Sequence, residues 1–250
     1  MSAQNTEWLR PSSDLRLTED EVHVWRVSTK HAASEANGLL ATLQPEERSR
    51  AERFRFERDR KKFIYIHGTL RIALGRYLQV EPDQLRYLYT CYGKPYLADQ
   101  GKSSAELHFN ISCSKDYALF AFARRQIGID IEHMRPGVAA DDVAERFFSK
   151  HEVDELRRLP RTLQDEAFLN CWTRKEAYIK ARGEGLSIAL DLFEVSLIPG
   201  QPAALLSSKS QPDDVERWSL RSLVPGPDYI SAVAVERTGW KLKCWEWTSP

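Results

Sequence analysis

The sequence predicts an α+β protein of two similar halves, each a small antiparallel sheet packed with helices, and three observations carry that reading. The order strand, helices, strands occurs twice along 250 residues, with the change near residue 125. Alternating apolar runs of strand length are separated by longer stretches whose apolar residues recur at helical spacing. The passage 115–121, KDYALFA, has an echo in 227–233, PDYISAV, each entering a strand from a turn, as a duplicated unit would. The expected organisation is a flexible leader at 1–20, an N-terminal half at 21–125 and a C-terminal half at 126–250. An interface between such halves is a natural ligand cleft.

In chain order, residues 22–27 (VHVWRV) alternate as a first strand. Helices are predicted at 32–43, at 45–54 with Pro45 in the first turn, and at 58–77. In the last of these Phe63, Ile66, Leu70, Leu74 and Tyr77 form a core-facing stripe. Residues 85–90 read as a strand, and Tyr92, Gly93, Lys94 and Pro95 as a turn. Strands at 108–112 and 117–123 flank the polar link 113–116, which is either an ordinary hairpin turn or a place where backbone N–H groups and the Ser112 or Ser114 hydroxyl meet an anion. In the second half, 127–132 alternates strictly. Helices are predicted at 139–148, at 151–159 and from 163 onward. Residues 192–198, 217–224, 229–235 and 240–247 complete a second sheet, with loops at 199–202 and 207–212.

Composition excludes several functions. Lys plus Arg and Asp plus Glu number 36 each, so no global field draws the chain to nucleic acid or to an anionic membrane. The densest basic segment holds eight cations between Arg48 and Lys62 against three acids. It reads as a solvated helix face laced with ion pairs, as a source of one or two phosphate contacts, or as an RNA-binding stripe that the interleaved acids disfavour. Four cysteines without CxxC spacing give neither a zinc knuckle nor a disulfide framework, which fits reduced thiols in the cytoplasm. No apolar stretch reaches the ~20 residues that span a bilayer, and the polar, acidic start is not a signal peptide.

Chemistry concentrates in two places. Along 168–186 (FLNCWTRKEAYIKARGEGL), Phe168, Leu169, Trp172 and Ile179 share one helix face, and Glu176 projects within that sector with Lys180 at its edge. Either Glu176 and Lys180 form a surface i,i+4 pair, or a carboxylate points inward and needs a cation, since burying it unpaired costs several kcal/mol. On the 127–132 strand Ile127, Ile129 and Ile131 face one side while Asp130 and Glu132 stand together on the other. Such a pair belongs to a solvated sheet face or to a metal. Placed in one site, Asp130, Glu132 and Glu176 offer three hard oxygen ligands suited to Mg²⁺, and the implied substrate carries a diphosphate.

The motifs Asn110-Ile111-Ser112, Gly128-Ile129-Asp130-Ile131-Glu132, Arg146-Phe147-Phe148-Ser149 and Trp172-Thr173-Arg174-Lys175-Glu176-Ala177-Tyr178-Ile179-Lys180 with Gly183 and Gly185 resemble those of the Sfp-type 4'-phosphopantetheinyl transferases. The resemblance extends over almost the whole chain. It implies the pseudo-duplicated fold of that family in a monomer, without nucleic-acid or membrane partners. It further implies transfer of phosphopantetheine from coenzyme A to a serine of an apo acyl or peptidyl carrier protein, with Mg²⁺ or alternatively Mn²⁺. By the same resemblance Asp130, Glu132 and Glu176 match the metal ligands, Glu176 is also the general base, and Lys180 contacts the phosphates. Lys94, Pro95, the Ser112 and Cys113 loop and Lys62 fall at the 3'-phosphate or adenine end, and Glu152 near the metal. Cys113 stands where the family carries His, so a contact of about 1.5–3 kcal/mol to the 3'-phosphate is missing. Cys113→His is therefore expected to tighten coenzyme A more than dephospho-coenzyme A. A carrier- or nucleotide-binding module without turnover is the alternative that intact Glu176 and Lys180 argue against.

Overall fold

A computed structural model describes residues 6–11, 15–98, 106–138 and 141–248. The first half runs β1 (Glu21–Ser28), α1 (Ala32–Leu39), α2 (Pro45–Glu52), α3 (Glu57–Leu78), β2 (Tyr87–Tyr89), β3 (Pro95–Leu97), β4 (His108–Ser114) and β5 (Tyr117–Ala123). The second runs β6 (Ile127–His133), α4 (Asp141–Phe147), α5 (Lys150–Arg158), α6 (Arg161–Arg182), β7 (Phe193–Val195), β8 (Leu205–Ser208), α7 (Asp214–Arg217), β9 (Trp218–Leu223), β10 (Tyr229–Glu236) and β11 (Lys241–Glu246). Residues 139 and 140 of the helix expected at 139–148 lie outside the described residues.

The period of two along each strand sorts side chains between two apolar layers. In β5, Ala118, Phe120 and Phe122 face the helices of the first half, whereas Leu119, Ala121 and Ala123 face the second sheet. In β6, Ile127, Ile129 and Ile131 meet Val22, Val24 and Leu119 in that shared layer, together with Val233 and Val235 of β10. Ala232 and Ala234 of β10 turn the other way, toward α6. Two sheets thus stack on one another, and each carries its helices on its outer face. The two echoing turns meet across this interface: the rings of Tyr117 and Tyr229 pack edge to face with centroids 4.9 Å apart, and the Tyr229 hydroxyl accepts the Asp116 N–H at 3.2 Å.

The first sheet has the order β11-β1-β5-β4 and the second β6-β10-β9, while β2-β3 and β7-β8 form separate hairpin-like pairs. This corrects two expectations. The last strand was assigned to the second sheet, but β11 pairs parallel with β1, Val24 opposite Cys244, so the chain's end closes the first half. The 192–198 segment yields β7, which pairs with β8 rather than extending β9. Part of the expected flexible leader is also held in place. Leu9 donates to the Cys244 carbonyl at 3.0 Å and accepts from Glu246 at 2.8 Å, and the Trp8 indole donates to Val224 at 3.1 Å. Residues 1–5 and 12–14 of that leader lie outside the described residues.

Candidate active site

The site begins with a close approach of helix backbone to strand backbone. A Cβ placed on Gly128 would lie 2.1 Å from the Ala177 carbonyl oxygen and 2.3 Å from the Ala181 nitrogen, so only glycine lets α6 lie flat on β6. Ala177 and Ala181, both fully buried, complete that contact. One residue around the helix from them, Glu176 and Lys180 are carried toward Asp130, which shares the Gly128 side of β6. Gly183, at φ 74°, ends α6 in the left-handed conformation that glycine adopts without strain.

Lys180 Nζ donates to Asp130 Oδ1 at 2.6 Å and to Ser112 Oγ at 3.1 Å. Ser112 Oγ donates in turn to the same Asp130 oxygen at 2.8 Å. Asp130 Oδ2 is buried and has no hydrogen-bond partner among the described residues. From the next position on this face, Glu132 Oε2 accepts the Ser114 hydroxyl at 3.1 Å.

All three carboxyls titrate above their ordinary range. Burial raises Asp130, and Lys180 and Ser112 oppose it. Burial and then the charge of Asp130 raise Glu132. Burial, Asp130 and Glu132 raise Glu176, against the pull of Lys180. Three mutually repelling acids around one lysine, one of them with an orphaned buried oxygen, are short of positive charge. Among the described residues no three His, Cys, Asp or Glu side chains converge as a ready-made metal cage. Mg²⁺ does not require one, because it keeps several waters and takes substrate phosphate oxygens into its shell. The hard oxygen donors and the unpaired Oδ2 therefore fit such an ion, with Asp130, Glu132 and Glu176 as the residues that would hold it.

Glu132 and Ser114 open into a cleft of about 630 Å³ between the halves. Its polar wall continues with Lys115, His133 and Arg135, and its apolar wall is built from Phe168, Leu169 and Trp172.

Five of the residues singled out in the sequence are thus brought together: Ser112, Asp130, Glu132, Glu176 and Lys180. Cys113 is exposed beside them, and Lys62 reaches the rim, donating to the Lys115 carbonyl at 2.5 Å. Pro95 is half-buried opposite Tyr89 on the β2-β3 pair. Two expected site residues are engaged elsewhere. Lys94 is turned inward and donates to the carbonyls of Ile127 at 3.1 Å and Ala181 at 2.9 Å, bonds that tie β6 to the end of α6. Burial lowers its pKa to about 8. Glu152, expected near the metal, is saturated elsewhere, by Val195 N–H at 2.9 Å, Ser149 N–H at 2.8 Å and Lys175 Nζ at 2.8 Å. The basic run is likewise engaged locally: Arg48 donates to the Leu43 and Ala41 carbonyls, Lys61 pairs with Glu57, and Arg50 lies over Phe63. Sequence reasoning missed Lys115, His133 and Arg135 as cleft residues. Their signal was adjacency to the 113–116 link and to the acidic strand.

Residues 126–234 match the family model described as the 4'-phosphopantetheinyl transferase superfamily, and residues 25–125 match the model of the 4'-phosphopantetheinyl transferase N-terminal region. The 4'-phosphopantetheinyl transferase HetI of Nostoc sp. is 41% identical over 241 residues, spanning 96% of this chain and 98% of that protein. The chain belongs to the 4'-phosphopantetheinyl transferase superfamily. The 4'-phosphopantetheinyl transferase Sfp of Bacillus subtilis is 34% identical over 159 residues, 64% of this chain and 68% of its own. The L-aminoadipate-semialdehyde dehydrogenase-phosphopantetheinyl transferase of Xenopus laevis is 30% identical over 220 residues, 81% and 72% respectively. In this phosphopantetheinyl transferase Ser112 falls in the first matched stretch, and Asp130, Glu132, Glu176 and Lys180 fall in the second. Among its described residues no helix is long and apolar enough to cross a membrane.

Proposed function

We propose that this transferase moves 4'-phosphopantetheine from coenzyme A to a serine of an apo acyl or peptidyl carrier protein, releasing adenosine 3',5'-bisphosphate, with Mg²⁺ held by Asp130, Glu132 and Glu176. The observation that carries the reading is the buried Oδ2 of Asp130, without a partner among the described residues, beside two further acids, Glu132 and Glu176, that its charge and burial raise. The divalent cation that Asp130, Glu132 and Glu176 would hold would supply charge neutralisation to the diphosphate of the substrate, which is most of what phosphoryl-type transfer asks of a protein. Lys180, whose side chain keeps 28% exposure, bonds a phosphate oxygen on the leaving side. Glu176 accepts the proton of the carrier serine, directly or through one water, as that oxygen bonds to the β-phosphorus and the bond to the bridging oxygen breaks.

Ser112 links Lys180 to Asp130, and Cys113 and Lys62 stand on the nucleotide side of the same rim. The apolar wall of Phe168, Leu169 and Trp172 is suited to the pantetheine arm or to an apolar face of the carrier. The chain acts as a monomer in the cytoplasm, its two halves supplying what two subunits otherwise would. Incubation with an apo carrier, coenzyme A and Mg²⁺ followed by weighing the carrier tests the proposal. An added phosphopantetheine mass is expected, and its absence while a known transferase succeeds in parallel would refute the reading in favour of a binding module.

A further inference from the structure

Among the described residues, the metal assignment proposed above leaves two ligands, Glu132 and Glu176, without an ion-paired cation, and Glu132 alone of these two is held by a hydroxyl. Lys180 grips Asp130, but Glu132 takes its hydrogen bond from Ser114. The two residues belong to different halves. β4 is the edge of the first sheet and β6 the edge of the second, and the strands adjoin through side chains instead of a backbone ladder. Asn110 Oδ1 accepts the Ile129 N–H at 2.9 Å, Ser112 reaches Asp130, and Ser114 Oγ accepts the His133 N–H at 3.1 Å. Alternate residues of β4 thus cover an edge that would otherwise present unpaired N–H groups.

Ser114 is held as Ser112 is, with one bond accepted and one donated. Its oxygen is occupied as an acceptor by the His133 N–H, and a hydroxyl carries a single proton. That proton is left to point at Glu132 Oε2, 3.1 Å away. We infer that Ser114 is a positioning residue for Glu132: across the boundary between the halves it fixes which oxygen of Glu132 is engaged and how the carboxylate is aimed. Outer contacts of this kind orient metal-binding carboxylates, and their loss typically costs about 10–100-fold in metal affinity or activity. Because β4 supplies the bond and β6 the ligand, the geometry of the site depends on how the halves are seated.

The inference rests on the proposed metal reading, and a Mn²⁺ titration followed by the electron paramagnetic resonance of the free ion separates the two. The full-length chain is titrated with Mn²⁺ alone and with coenzyme A present. Ser114→Ala is expected to weaken Mn²⁺ binding about tenfold and, because the His133 N–H loses its acceptor, to lower the thermal midpoint slightly; Ser114→Thr, which keeps the hydroxyl, is expected to stay within about twofold of the parent. Ser114→Gly, a second deletion of the hydroxyl, is expected to weaken binding as the alanine variant does and replaces it if the latter fails to fold. If hydroxyl-deleted protein binds Mn²⁺ as the parent does while Glu132→Gln weakens binding, the positioning role is overturned and the metal reading stands. Equal weakening by Thr and Ala would assign the effect to packing and overturn it as well. If Mn²⁺ binding is absent, or indifferent to Glu132→Gln and Glu176→Gln, the metal assignment fails and the role of Ser114 falls with it.

Discussion

Helix α6 carries two lysine–carboxylate pairs five residues apart, and they do opposite things. Lys175 and Glu152 meet at 2.8 Å with 0% and 1% side-chain exposure. Lys175 also donates to the Leu190 carbonyl at 2.7 Å and the Phe193 carbonyl at 2.5 Å, and both Glu152 oxygens are bonded. Lys180 and Asp130 meet at 2.6 Å, but Asp130 keeps an orphaned oxygen and two acidic neighbours. Burial is similar for the two acids, so burial does not separate a structural charge from a functional one. Saturation does. A buried charge with every lone pair and proton matched is a fastener, whereas one left short of partners is arranged for something that arrives later.

The sharpest way to break the comparison is at its unsaturated end. Glu176→Gln is expected to lower phosphopantetheine transfer by about a thousandfold, the scale of losing a positioned base, while the metal-free protein melts at the same temperature or slightly higher because one repelling charge is gone. Carrier mass shifts and thermal melts read the two effects, and retained activity would remove Glu176 from the mechanism. At the saturated end the signs reverse. Lys175→Met leaves Glu152 charged and buried, which costs about 3–5 kcal/mol and about 10 °C or more in Tm. Glu152→Gln in the same chain is expected to recover part of that loss, and a melt unchanged by Lys175→Met would show that the pair fastens nothing.

Gly128→Ala tests what seats both pairs. A methyl group 2.1 Å from the Ala177 oxygen forces α6 off β6, at a cost of about 1–3 kcal/mol. A shift of about 1 Å in Glu176 and Lys180 lowers turnover about a hundredfold, so both a melt and an assay respond. The smallest effect is expected in the first half, at a third buried and partnered group. His23 bonds Tyr77 at 2.8 Å and Glu21 at 3.3 Å. Burial lowers its pKa from 6.5 to about 4, with Glu21 opposing. Between those values the unfolded chain binds more protons than the folded one, so stability falls as pH drops from 6.5 toward 4. His23→Gln should flatten that limb by about 1–2 kcal/mol in urea titrations at pH 7 and pH 5, and an unaltered difference between the two pH values would count against the assignment.

Much of the site was legible along the chain because its spacings are local. Asp130 and Glu132 share a face by strand alternation, and Glu176 and Lys180 share one by helical period. Gly128 was visible only as part of a motif, since the backbone it admits comes from a helix about fifty residues later. Lys94 was assigned by resemblance alone, and no local spacing shows the two carbonyls that packing sets beside it. Glu152 was likewise drawn toward the metal by its place in the sequence, when its reach to Val195 on β7 decides its role.

The sequence by itself determined the repeated strand-helix-strand order and which acids share a strand or helix face, because periodicity and residue type are properties of short segments. Tertiary structure alone decided that β11 returns to the first sheet, that β4 and β6 meet edge to edge so that serines of one half hold acids of the other, and which buried charges end saturated. Those outcomes depend on contacts between residues distant in the chain, where no spacing rule connects one partner to the other.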